Sequence, residues 1–95
     1  MSFSLKITTA ADLAATAAED LALSRKAECR QRILAVIDET AQLNLLAAVA
    51  ASALDDAQMA IYRSGVAWIK AMREAQADGN WPDVPHGVAE LAAAF

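Results

Sequence analysis

Cys29 and His86 are the only thiol and the only imidazole in this chain. Cys29 stands beside Arg30 and one turn from Lys26, a setting that favours the thiolate a nucleophile needs. Its helical phase falls on a mixed face, and no histidine with an orienting acid lies near it, so an inert small side chain is expected. His86 lies between Pro85 and Gly87 and reads as a surface loop residue, again with no nearby nucleophile. One His and one Cys exclude a Cys/His zinc site within a single chain. The acidic pairs Asp38-Glu39 and Asp55-Asp56 lack the spaced oxygen ligands of a calcium loop, and the second pair reads as a helix start. Gly65, Gly79 and Gly87 stand apart, so no glycine-rich phosphate loop is present. We therefore expect no catalytic, cofactor-binding or metal-ligating residue, no small-molecule substrate, and a protein that is not an enzyme.

The remaining chemical signal is basic. Arg25, Lys26, Arg30 and Arg32 form the one candidate nucleic-acid patch in a chain whose net charge is −4. On a helix they point in several directions, Glu28 can pair with Arg32 at i,i+4, and no aromatic is interleaved for base stacking. A small dimeric regulatory or nucleic-acid-associated protein is kept as the alternative reading.

The elements that carry these residues are helical. Ninety-five residues make one small domain, and three glycines with two prolines supply too little turn chemistry for an all-β fold. A single cysteine excludes an intramolecular disulfide and fits a reducing compartment. Met1–Thr9 lacks the apolar core of a secretory leader, and the longest apolar stretch, Leu43–Leu54, is too short to span a bilayer, so a cytoplasmic protein without a membrane segment is expected. Phe3–Thr8 alternates apolar and polar residues, as a half-buried strand does, and is expected to be an extended arm docked on helices, with pairing to a strand of another chain as the alternative. Thr9-x-x-Asp12 resembles a helix cap. Residues 10–53 then read as one long helix bent near 25–30, or as two helices. A second helix follows over 55–78, capped by Asp55 and ended by Gly79 in the left-handed conformation. The Trp-Pro loop covers 79–87, and 88–95 closes as a short helix.

Projected at 100° per residue, the segment 30–53 carries apolar side chains over roughly half its circumference or more. Thr40 and Asn44 fall near the centre of that face, in phase with Ile33 and Ile37, and a buried Asn there would set the register of an interface. So much apolar surface on a short chain predicts self-association. The expected architecture is all-α: a long helical hairpin of two main helices, a short C-terminal helix and an extended N-terminal arm, forming an oligomeric bundle. A dimer is the simplest case, with 30–53 packed across its symmetry axis. Ile33, Ile37, Asn44, Leu45, Trp68 and Trp81 are the expected partner-binding residues. Gly65, between Ile61 and Trp68, is expected to allow close helix approach or to receive an aromatic ring.

Arg30-x-x-Ile33-Leu34-x-x-x-Asp38-x-Thr40, then Tyr62-Arg63, then Trp81-Pro82-x-x-Pro85 resembles the small phage tail assembly chaperones and tail-fibre-associated proteins. The similarity covers roughly residues 30–85, with Glu39 where the family favours Trp and Val66-Ala67 where it has Leu-Arg. Arg30, Asp38, Thr40, Tyr62, Arg63, Pro82 and Pro85 match the motif, and none of these positions is catalytic. The resemblance implies a phage or prophage protein that helps tail or fibre components assemble by binding, with copies of itself and tail or fibre proteins as partners. A structural virion component is a related possibility. One arrangement consistent with the motif pairs Arg63 with Asp38 and lays Trp81 over the helix pair. The other leaves these as independent surface charges with Trp81 capping the core.

Overall fold

The computed structural model describes residues 10–95, and among these every regular element is helical. Helix α1 runs Ala10–Val36, α2 Glu39–Ala50, α3 Asp56–Glu74 with a single 3-10 turn at Ala75–Ala77, and α4 Val88–Ala93. The all-α expectation holds. The arm Phe3–Thr8 and the Thr9 cap lie outside the described residues.

The long segment 10–53 is two helices, and the break falls at Ile37-Asp38 rather than near 25–30. Asp38 is the cause. It takes an extended backbone conformation, and its carboxylate accepts the Ala41 amide at 2.7 Å, which starts a new helix at an angle of 63° to the first. Gln42 donates its side-chain amide to the Ile37 carbonyl at 2.9 Å, satisfying an acceptor left over at the end of α1. No single helix among the described residues is long and apolar enough to cross a membrane.

Helix α2 ends in a Schellman arrangement: the Ala53 amide returns to the Ala48 carbonyl and the Ser52 amide to that of Val49. The left-handed position belongs to Ser52, at φ 55°, where glycine is usual. Ser52→Gly is therefore expected to stabilise the protein by about 0.5–1 kcal/mol, read as a higher urea midpoint at unchanged m. Asp55 then caps α3 as expected, with a reciprocal bond between Gln58 and the Asp55 backbone.

The core gathers one strip from each helix: Cys29, Ile33 and Ile37; Ala41 and Leu45; Trp68 and Met72; and Val88, Leu91 and Ala92, with Leu54 from the connection. Helix α3 packs on α1 and α4, while α4 also touches α1 and α2 and so joins the lower ends of the bundle. Gly65 is buried on this inner face, but its neighbours are aliphatic. A methyl group there would stand 3.5 Å from Val88 Cγ1 and 3.8 Å from Ile37 Cδ1, ordinary contact distances. Gly65→Ala should thus gain about 1 kcal/mol of helix propensity without a clash, measurable as a higher Tm.

The N-terminal half of α1 leaves this body altogether. All residues from 10 to 24 are exposed, and contact with the rest of the chain begins near Arg25, whose Nη1 donates to the Ala77 carbonyl at 2.7 Å. The projecting part accounts for a radius of gyration of 19.6 Å, against about 12 Å for a compact chain of this length.

Candidate functional site

The chemistry-bearing residues do not converge. Cys29 is 2% exposed and belongs to the core, whereas His86 is exposed in the loop before α4. Burial keeps a thiol from its reagents, so Cys29 should resist alkylation in the native protein. Its labelling rate is expected to track unfolding, rising sharply through the urea transition. Among the described residues no three His, Cys, Asp or Glu side chains come together as metal ligands, and no polar or charged side chain is buried.

The basic run is largely spent on the chain itself. Arg25 holds the Ala77 carbonyl, and Arg30 pairs with Glu39 at 2.6 Å across the α1–α2 bend. Arg32 pairs with Glu28 at 2.6 Å and lies over the Trp81 ring, 5.5 Å from its centroid. Both ion pairs are solvent-exposed, so each contributes about 1 kcal/mol at most. Among the described residues, Lys26 is the one of the four that these contacts do not engage.

The expected partner-binding residues divide. Ile33, Ile37, Leu45 and Trp68 are buried in the core of the single chain, under α3 and α4. Asn44 is exposed, and its amide reaches the Phe95 carbonyl only at 3.5 Å. The break at Asp38 explains this placement, because a projection carried through residues 37–39 at 100° per residue assigns α2 a phase it does not have. On α2 the strip turned inward is Ala41 and Leu45, flanked by Ala48 and Val49. Trp81 is half-buried beside Arg32, and the residue after it is held by Trp68, whose indole donates to the Pro82 carbonyl at 3.1 Å.

The motif residues likewise serve local ends. Asp38 caps α2 instead of pairing with Arg63, which is in no ion pair among the described residues. Thr40 is exposed, Tyr62 is half-buried on α3, and Pro82 and Pro85 shape the connection to α4.

What the helices leave open is an apolar cleft of about 490 Å³ between α2 and α3. Ile37, Val88 and Leu91 form its floor, Leu43 and Leu46 one wall, and Tyr62, Val66 and Ile69 the other. Leu43 is 68% exposed, Leu46 58% and Val66 50%, values unusual for large apolar side chains grouped in one trough. Past Gln42, Glu39 and Ile69 the cleft continues into a second hollow of about 580 Å³ along α1, lined by Leu23, Ile33 and Leu34 and by the cations Lys26, Arg30 and Arg73. Sequence reasoning missed Leu43, Leu46 and Val66. A signal for the first two was present, as both lie in the apolar stretch Leu43–Leu54.

Comparison of the chain with protein-family models, characterised proteins and solved structures returns no match.

Proposed function

We propose that this protein works by binding other protein chains rather than by chemistry, as a small assembly factor of a phage or prophage tail or tail fibre in the bacterial cytoplasm. One observation carries the reading. The chain leaves two apolar surfaces uncovered, the projecting half of α1 with Leu13, Leu21 and Leu23 and the cleft rimmed by Leu43, Leu46 and Val66. Isolated surface leucines need no explanation, but a contiguous trough with its hydrophobic rim in solvent does. Its walls are apolar, and the ionisable groups near it are spread along its edge, as suits a partner helix better than a reacting small molecule. The tail assignment draws on the motif of residues 30–85, which supplies the class of partner.

The test is co-expression with each tail and fibre protein encoded beside the gene. A stable complex surviving affinity capture and gel filtration is the expected result. Passage of the chain free of every such protein, each folded and soluble, would overturn the tail assignment.

A further inference from the structure

We infer that the cleft between α2 and α3 is filled by the projecting N-terminal half of α1 from a second copy of this chain, reciprocally, in a closed pair. This goes beyond the assembly reading and concerns the isolated protein; because it occupies the same two surfaces, a tail protein would have to displace the second copy from them.

Length is the first argument. Residues 10–24 form a free helix of about 22 Å, and the cleft runs beside α2, about 18 Å long, before opening into the second hollow. Shape is the second. Leu13, Ala17 and Leu21 recur every four residues and so lie on one strip, a narrow ridge with a large side chain near each end. A ridge of that width suits a trough whose walls are two helices, and both surfaces are open in the single chain. Neither can meet its complement within one chain, because the helix points away from the body that holds the cleft.

Charge decides between possible occupants. The projecting segment carries Asp12, Glu19 and Asp20 and no cation before Arg25, and Asp20 borders the Leu13–Leu21 strip. The outer flank of α3 beside the cleft carries Arg63, Lys70 and Arg73 against one acid, Glu74, and among the described residues none of the three cations is in an ion pair; the one carboxylate lining the cleft, Glu39, is paired with Arg30. Lys26 and Arg73 line the second hollow along α1, beyond the junction at Glu39, Gln42 and Ile69. Two projecting helices laid against each other would oppose acid to acid, whereas helix in cleft opposes acid to base. Reciprocal docking uses both surfaces of both copies and leaves neither apolar patch in water.

A charge-swap experiment on the full chain tests this. One variant carries Lys70→Glu with Arg73→Glu, and the other Glu19→Lys with Asp20→Lys; all four sites are exposed, and circular dichroism checks that each variant is folded. By light scattering the native protein should have twice the 10.0 kDa chain mass. Each variant alone should dissociate at least about tenfold more readily, and an equimolar mixture should recover the pair, because both of its interfaces then match. Leu21→Glu and Val66→Glu should each weaken the native pair by a similar factor. A native monomer at high concentration overturns the inference. So does a pair sensitive to Leu21→Glu but not Val66→Glu, which marks contact between two α1 helices. Sensitivity to Val66→Glu alone would place another segment in the cleft and overturn it equally. A failure here leaves tail-protein capture untouched, and the converse also holds.

Discussion

Replacing Trp68 by alanine is expected to destabilise the fold by about 3–5 kcal/mol, the largest effect of any single truncation in this chain. Trp68 is 4% exposed at the middle of α3 and combines two functions. Its ring fills the centre of the core, and its indole nitrogen holds the Pro82 carbonyl, fixing the connection that brings α4 back under α2. Alanine leaves a large cavity and an unpaired carbonyl. Small domains are only marginally stable, so this variant should be mostly unfolded at ambient temperature. Trp68→Phe separates the two contributions. It keeps much of the ring volume but loses the hydrogen bond, with an expected cost of about 1–2 kcal/mol. Urea titrations of the two variants should differ by several-fold in their loss of stability. Equal losses would mean that the Pro82 bond, and not the packing, governs the position of the loop.

Gly87→Ala is expected to cost about 2–5 kcal/mol, from left-handed strain of about 1–2 kcal/mol and overpacking of about 1–3 kcal/mol. Gly87 has φ 86°, and a Cβ there would meet Ile61 Cδ1 at 3.0 Å and Cγ1 at 3.3 Å. The two penalties add, because the contact is relieved by a shift of the Ile61 side chain or of α4 against α3, and neither relieves the backbone strain. Val88 and Leu91, which floor the cleft, would move with α4. The variant should therefore lose stability and also lose whatever the cleft binds. Gly65→Ala, one layer deeper on the same pair of helices, has the opposite expected sign because its backbone is helical and its space is open. Measuring both against the native protein checks backbone conformation at one site and free volume at the other.

Much of the scaffold was legible in the residues. Asp55 with Gln58 is a local device, and it caps α3 as the pattern required. Gly79 adopts φ 76° after the 3-10 turn, again from local chemistry. The inner face of α3, with Gly65, Trp68 and Met72, follows from a 3.6-residue period running without interruption through a helix of 19 residues. The cleft was not legible in that way. Asp38 has the chemistry of a cap but sits in a run free of Gly and Pro, so the projection treated 30–53 as continuous. Ile33 and Ile37 were thereby grouped with Asn44 as a surface for a partner. Leu46, which the trough exposes, falls on the opposite side of that projection from Ile33 and Ile37.

Composition and local pattern thus determine that the chain is helical, where α3 begins, and that its apolar surface exceeds what one short bundle covers. Those are properties of neighbouring residues, and short-range hydrogen bonding and periodicity are enough to set them. Which apolar residues are covered and which remain open was decided by tertiary packing. The 63° bend at Asp38 turns α2 away from the axis of α1, and α4 fills one end of the gap between α2 and α3. The other end stays open, because burial of a side chain depends on the directions of three helices at once, and no window along a single strand of sequence contains them.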